Sequence, residues 1–490
     1  MVVKRDVGGK PKDRKFVSMY ASPRTDVITA FGRDIDTLER AVKERVFFVK
    51  STLGFVPTPQ PTRSVCVMLD SYSKALACEL PCTSPLSEQQ FVETFKGRKR
   101  QMYQKVFEEK CNIPCKPSDA HIRPFVKYEK VDVLLKDDPV PRVVSPRKPR
   151  YNIAVGRFLR PIEEKIFKAI GVVFGGPTVF KGYDAFQQGR LLRDAWLEFK
   201  DPVAFGLDAS RFDQHVSRET LQWEHSVYLS CFYGKHRKEL ERLLKWQLDN
   251  VCYTKLVDGE LKYTTKGVRM SGDMNTSVGA CLIMTALVYT FMHLKGVHCR
   301  LINNGDDCVI ICERSDYSRF DDIHNHFRSA GFTLTREPVV DVFEKIEFCQ
   351  THPVLTSKGW FMCRSPYSLL TKDHVCIQYK EGEAFEQWLA AIGSVAPVFS
   401  GIPCHRNVYR AFARCAKPKK IRAMERDDVS WSFRNLYKTG STGHINDETR
   451  FSYYLAFGVT PEEQVSIEEH YDEIKTGSRG AFVPPLDRFI

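Results

Sequence analysis

The sequence predicts an α+β fold divided into two or three packed subdomains, and three observations predict it. Its 490 residues exceed what one hydrophobic core usually holds. Apolar strand patterns stand at 203–208 (VAFGLD) and 299–312 (CRLINNGDDCVIIC), the second split by turn-forming residues. Helical patterns occupy 86–110, 218–233 and 315–330, and the chain beyond 370 reads as mostly helical and basic.

Apolar residues make up 43% of the chain, which excludes a disordered protein. Lys and Arg number 73 against 60 Asp and Glu, a formal charge of +13. That surplus suits a polyanion such as nucleic acid, and equally a basic enzyme with a solvated surface. The N-terminal MVVKRDVGGKPKDRK is too charged for a signal peptide. The 16 cysteines are therefore expected as reduced, buried thiols in a cytosolic compartment. The pairs Cys78/Cys82, Cys111/Cys115 and Cys308/Cys312 lack the spacing of a zinc motif. The stretch Met274 to Leu294 is long enough to span a membrane, but Asn275, Thr276, Ser277, Gly279 and Thr285 are polar for lipid. A buried helix is expected there.

Taken in order, 55–65 (FVPTPQPTRSV) reads as an extended strap. The helical segment 86–110 carries Lys96, Arg98, Lys99, Arg100 and Lys105, the pattern of a solvated face. Residues 142–160 (RVVSPRKPRYNIAVGRFLR) hold six basic residues and no acid. Two prolines there predict strand and loop rather than helix. Guanidinium groups without balancing acids repel one another unless an anion sits between them, and phosphate suits their geometry. The strand 203–208 ends in Asp208, and FTLTRE at 332–337 reads as another strand. Arg406, Arg410, Arg414, Lys417, Lys419, Lys420 and Arg422 form a basic patch.

Three pieces carry the chemistry, in fixed order. They are Asp208-Ala-Ser-Arg-Phe-Asp213 at a strand end, Ser271-Gly-Asp-Met-Asn-Thr276 opening a helix, and Gly305-Asp306-Asp307 at a hairpin turn. Carboxylates crowded at a turn repel unless a cation joins them. Asp208 on a neighbouring strand would complete an all-oxygen site for Mg²⁺. Two such ions form the clamp of nucleotidyl transfer. Alone, Gly-Asp-Asp arises by chance in roughly one chain in ten of this length. The three pieces in order, embedded between apolar strands, are far more specific.

GLDASRFDQHVS, RMSGDMNTSVGACLIM and NNGDDCVII resemble motifs A, B and C of the RNA-dependent RNA polymerases of positive-strand RNA viruses. The wording of the second is similar to the tombusvirus and carmovirus group (Tombusviridae) of plant-virus replicases. EKIEFCQTHPV (344–354) resembles motif E, the primer-gripping hairpin. FVKYEK (125–130) with PRVVSPRKPRYNIAVGRFLRPIEE (141–164) resembles motif F.

The resemblance implies a right hand with an antiparallel-sheet palm. Residues 1–65 would be an N-terminal strap, 66–200 and 218–265 fingers, 201–217 and 266–370 palm, and 371–490 thumb and C-terminal region. Asp208, Asp306 and Asp307 would be catalytic, holding Mg²⁺, with Mn²⁺ as the alternative, together with Ala209. Asp213, Ser271, Gly272 and Thr276 would form the ribose pocket, and Lys127, Arg142 and Arg150 would meet the triphosphate. Arg147, Lys148, Arg157 and Arg160 would line the RNA path. Arg336 and Lys345 are alternative proton donors to pyrophosphate. Template and product RNA and NTPs would be partners, together with an auxiliary viral protein at host cytoplasmic membranes, and self-association is compatible. Two readings stay open: the polymerase portion of a readthrough or frameshift product, or a chain served by a separate anchor.

One departure stands out. The family usually has Asn four residues after the motif B Thr, and here that position is Ala280. A reverse transcriptase would place an aromatic gate near Asp213, where an acid favours ribonucleotides. A non-enzymatic RNA-binding protein would explain the charge but not three intact carboxylates.

Overall fold

The computed structural model describes residues 1–474 except 7, 12–16, 19–26, 52–53, 111–112, 136–137, 378–382, 417–435 and 438–439. Cys111 and the patch residues Lys417, Lys419, Lys420 and Arg422 lie outside the described residues.

Four antiparallel strands form the central sheet: β1 (Pro202–Ala209), β2 (Cys299–Asn303), β3 (Asp307–Glu313) and β4 (Leu334–Arg336), in the order β2-β3-β1-β4. Alternation along each strand divides its side chains between two cores. Val203, Phe205, Leu207, Ile310 and Cys312 face one cluster, and Ala204, Val309 and Ile311 face the other.

The first cluster is built on helices α1 (Pro149–Val173), α2 (Arg218–Ser230) and α3 (Thr276–Lys295). The second includes the helices Ala185–Trp196, His405–Cys415, Asp447–Phe457 and Pro461–Glu473. Helix α3 is long and apolar enough to cross a membrane, yet 72% of its apolar window is buried inside the protein. It packs on α1, α2 and the sheet, so its hydropathy is that of a core helix.

The first 65 residues clip onto distant parts of the chain. Val2–Arg5 pairs with 259–262, Val17–Ser18 with 375–376, and Ile28–Thr29 with 131–132. Within the expected strap, Gly54–Pro57 instead folds back as a hairpin on Phe48–Ser51.

The structure corrects the secondary-structure reading of 142–160. Only Val143–Val144 is strand, and residues 149–160 belong to α1. Pro149 stands at the first helical position, where the missing N–H has no partner to lose. Ile153, Phe158, Leu159, Ile162 and Ile166 supply a fully buried stripe that carries the helix past Pro161. The hairpin expected at 344–354 begins later, as Thr351–Thr356 paired with Gly359–Arg364. The thiols are also not uniformly buried, because Cys66, Cys78 and Cys82 are exposed.

Candidate active site

Asp208 and Asp307 are register partners across β1 and β3. Asp306 sits on the turn just before β3, and all three side chains are exposed. The turn is fixed from beneath. Buried Asn303 donates through Nδ2 to the Gly305 carbonyl at 2.7 Å and accepts from the Gly305 N–H at 3.2 Å. Gly305 has φ +96°, which only glycine adopts cheaply. Lys181 Nζ donates to Asn304 Oδ1 at 2.7 Å, putting a cation beside the turn. Sequence reasoning missed both Asn303 and Lys181, although Asn303 falls inside the turn signal.

Among the described residues, none of the three carboxylates forms an ion pair. Desolvation by the surrounding protein holds the Asp307 carboxyl above its usual range, opposed by a hydrogen bond from the Cys349 side chain and helped by the charge of Asp306. Glu337 is also raised, first by burial and then by Glu347, Asp208 and Asp307. Glu337, Glu347 and Lys345 line a cavity of about 320 Å³ behind β1 and β3. Among the described residues no three such groups close a cage around a metal. Asp208, Asp306 and Asp307 offer oxygen donors only, a chemistry that suits Mg²⁺, which keeps waters and takes further oxygens from substrate phosphates.

Asp213 lies in the short helix Phe212–His215, after Arg211 at φ +48°. Its carboxyl is pushed up to about 7, first by burial, against the pull of Arg269. Asp306 and Asp273 add to the rise, while Arg142 draws it down, so Arg142 shares this electrostatic environment. Ser271 accepts the Ser145 N–H at 2.6 Å, and Gly272, at φ +120°, packs against Pro146. Those contacts bring the basic segment 142–148 against the Ser271–Thr276 loop. The Thr276 hydroxyl donates back to the Met270 carbonyl at 3.3 Å.

The basic residues part company here. Lys127 and Arg142 share Glu129 at 2.9 and 3.3 Å, and about half of each side chain is exposed. Arg45, absent from the sequence reading, is pushed down to about 10 by burial and by Arg211 and Arg142. Such crowded cations suit an anion.

Arg147, by contrast, is buried and fully used. It pairs with Asp273 at 2.5 Å and donates to Asn250 and to the Ala120 and Trp246 carbonyls. Arg150 is buried on Glu88 at 2.7 Å and on the Ile113 carbonyl. Arg147, expected on the RNA path, and Arg150, expected at the triphosphate, are thus both held by acids inside this structure. Arg157 pairs with Glu239 and lies over Phe158, and Arg160 pairs with Glu163. The acids that balance this segment come from elsewhere in the chain. Lys148 is exposed. Arg336 stacks on Tyr317 and pairs with Asp321 at 2.8 Å, whereas Lys345 is exposed.

The chain belongs to the family described as viral RNA dependent RNA polymerase, whose model matches residues 1–479. It is similar to RNA-directed RNA polymerases of Tombusviridae viruses. Identity to that of oat chlorotic stunt virus is 42% over 477 residues, covering 93% of this chain and 63% of the relative. For tobacco necrosis virus strain D it is 39% over 455 residues, covering 90% and 62%. For turnip crinkle virus it is 38% over 454 residues, covering 90% and 57%. The chain thus spans about six tenths of the length of these relatives.

Proposed function

We propose that this chain synthesises RNA from nucleoside triphosphates on an RNA template, copying a positive-strand plant-virus genome. One observation carries the reading. Asp208 and Asp307 stand opposite each other in register, Asp306 lies on the adjoining turn, and among the described residues no ion pair neutralises them. A carboxylate cluster of this kind, beside crowded arginines, suits magnesium-assisted transfer to a phosphate-bearing substrate. By the same reading the β1–β4 sheet is the palm, 66–200 and 218–265 are fingers, 371–490 is the thumb region, and 1–65 straps them together.

Asp208, Asp306 and Asp307, with the Ala209 carbonyl, would hold Mg²⁺ or Mn²⁺. When bound, these ions acidify the primer 3′-hydroxyl and offset charge on pyrophosphate. The chain's own groups position the reactants. Asp213, Ser271, Gly272 and Thr276 receive the ribose, Lys127 and Arg142 steady the triphosphate, and Lys148 and Arg160 meet RNA. Lys345, unlike Arg336, is free of an ion pair among the described residues and is the better proton donor to pyrophosphate. By resemblance, an auxiliary viral protein would bring the chain to host membranes.

The test is RNA synthesis by purified protein on a homopolymer template, with NTPs against dNTPs and with or without Mg²⁺. Metal-dependent incorporation of NTPs is expected, and a basic RNA-binding protein would bind the template and make nothing. Arg142→Ala should raise KM for NTPs about tenfold or more, as loss of a charged hydrogen bond costs about 1.5–3 kcal/mol. Steady-state kinetics with unchanged KM would remove Arg142 from the triphosphate site. Template binding should weaken steeply with salt, with a log–log slope of about −0.7 per phosphate contact. A flat titration by fluorescence anisotropy would count against a charged template channel.

A further inference from the structure

Beneath Asp213 lies a buried ion pair that the roles above do not use. The side chains of Arg269 and Glu224 are both 0% exposed. Arg269 Nη2 donates to Glu224 Oε2, and Nη1 donates to Glu224 Oε1 and to the Asn275 carbonyl, each at 3.2 Å. The Tyr228 hydroxyl and Asn275 Nδ2 donate to the same carboxylate at 2.6 and 2.8 Å. Gln247 in turn donates to Asn275 Oδ1 at 3.0 Å. The guanidinium is therefore clamped in one orientation. Its remaining donor, Nε, is buried without a hydrogen-bond partner and lies 3.9 Å from Asp213 Oδ1.

The backbone ties the same two residues together. The Arg269 N–H donates to the Asp213 carbonyl at 3.1 Å, and the Val268 N–H to the Val216 carbonyl at 3.0 Å. Val268 holds φ +65°, unfavourable for a β-branched residue. Helix α3 makes room for the pair at Gly279. A Cβ there would lie 2.6 Å from Arg269 Nη1 and closer still to Glu224 Oε1.

A buried ion pair is often no more stabilising than apolar residues of the same volume, so its presence under a site calls for another reason. We infer that Arg269, clamped by Glu224, is the positioning residue that aims the Asp213 carboxylate at the ribose 2′-hydroxyl. It does the work of the amide that Ala280 lacks. This rests on the ribose role proposed above for Asp213. Neither neighbour can substitute. Position 280 faces the Gly305 turn, where a Cβ on Gly305 would lie 3.7 Å from the Ala280 Cβ, and Asn275 is committed to Glu224 and Gln247. A movement of about 1 Å brings the carboxylate to hydrogen-bond distance of Nε.

The test is the ratio of kcat/KM for an NTP to that for its 2′-deoxy analogue. Arg269→Lys keeps the charge and loses the fork. The ratio should fall about tenfold, the scale of one charged hydrogen bond, while kcat/KM for the deoxy analogue holds within roughly twofold. A merely structural role would lower both substrates in parallel, and a constant ratio would overturn the inference. In an Asp213→Asn background, Arg269→Lys should leave the ratio where it stands, and a further fall would also overturn it. If thermal melting shows Arg269→Lys unfolded, Gly279→Ala displaces the pair with one methyl and removes no charge. A folded Gly279→Ala must then show the lowered ratio, and an unchanged one sinks the idea. Wild-type protein that makes no RNA would defeat the underlying reading, whereas active wild type with a ratio indifferent to Arg269 would defeat only this inference.

Discussion

Asp306→Asn and Asp208→Asn should each reduce RNA synthesis about a thousandfold or more, the scale of losing a main electrostatic group at a reacting centre. Each change removes one negative charge from a set that among the described residues forms no ion pair, so cation affinity falls directly. The fold should tolerate both changes, because the two side chains are exposed and isosteric with their replacements. Template affinity should stay within about twofold of wild type, since it depends on Lys and Arg contacts to phosphate. The measurements are incorporation of labelled NTP and RNA binding on the same preparations. Near-normal synthesis by Asp306→Asn would reduce Gly305-Asp306-Asp307 to an ordinary turn.

Arg147→Ala should destabilise the protein by about 3–5 kcal/mol, the cost of leaving one partner of a buried pair alone. Asp273 would keep a buried charge, and Asn250 and the Ala120 and Trp246 carbonyls would lose their donor. Arg142→Ala, at an exposed position, should change stability by about 0.5 kcal/mol at most. Urea unfolding of the two variants side by side distinguishes them. Equal midpoints would mean that Arg147 is not the interior tie described here.

The contrast shows what the sequence could reveal. Asp208 and the hairpin at 299–313 were legible because continuous apolar runs and the Asn-Asn-Gly-Asp turn are local signals. The basic run at 142–160 misled for the opposite reason. Arg150 meets Glu88, Arg157 meets Glu239 and Arg147 meets Asp273, at separations of 62, 82 and 126 residues. No local count of charge detects such partners. Pro149 read as a helix breaker because its position at the helix start depends on where the apolar stripe begins. The hairpin Asp249–Leu256 with Gly259–Lys266 went unread, as did the Arg269–Glu224 pair. Arg269 could have been suspected as the basic residue of a motif whose other charged residue is Asp273.

Strand order also governs when the carboxylate cluster can first exist. β1 lies between β3 and β4, yet both neighbours come later in the chain. A ribosome adding about 5–20 residues per second needs roughly 5–20 seconds to travel from the end of β1 to the end of β3. Throughout that interval the apolar segment Val203–Leu207 has neither edge covered, the condition under which strands recruit wrong partners. Asp208 cannot meet Asp307 until that wait ends, so the carboxylate pair takes shape only once β3 has been made, although β1 left the ribosome long before.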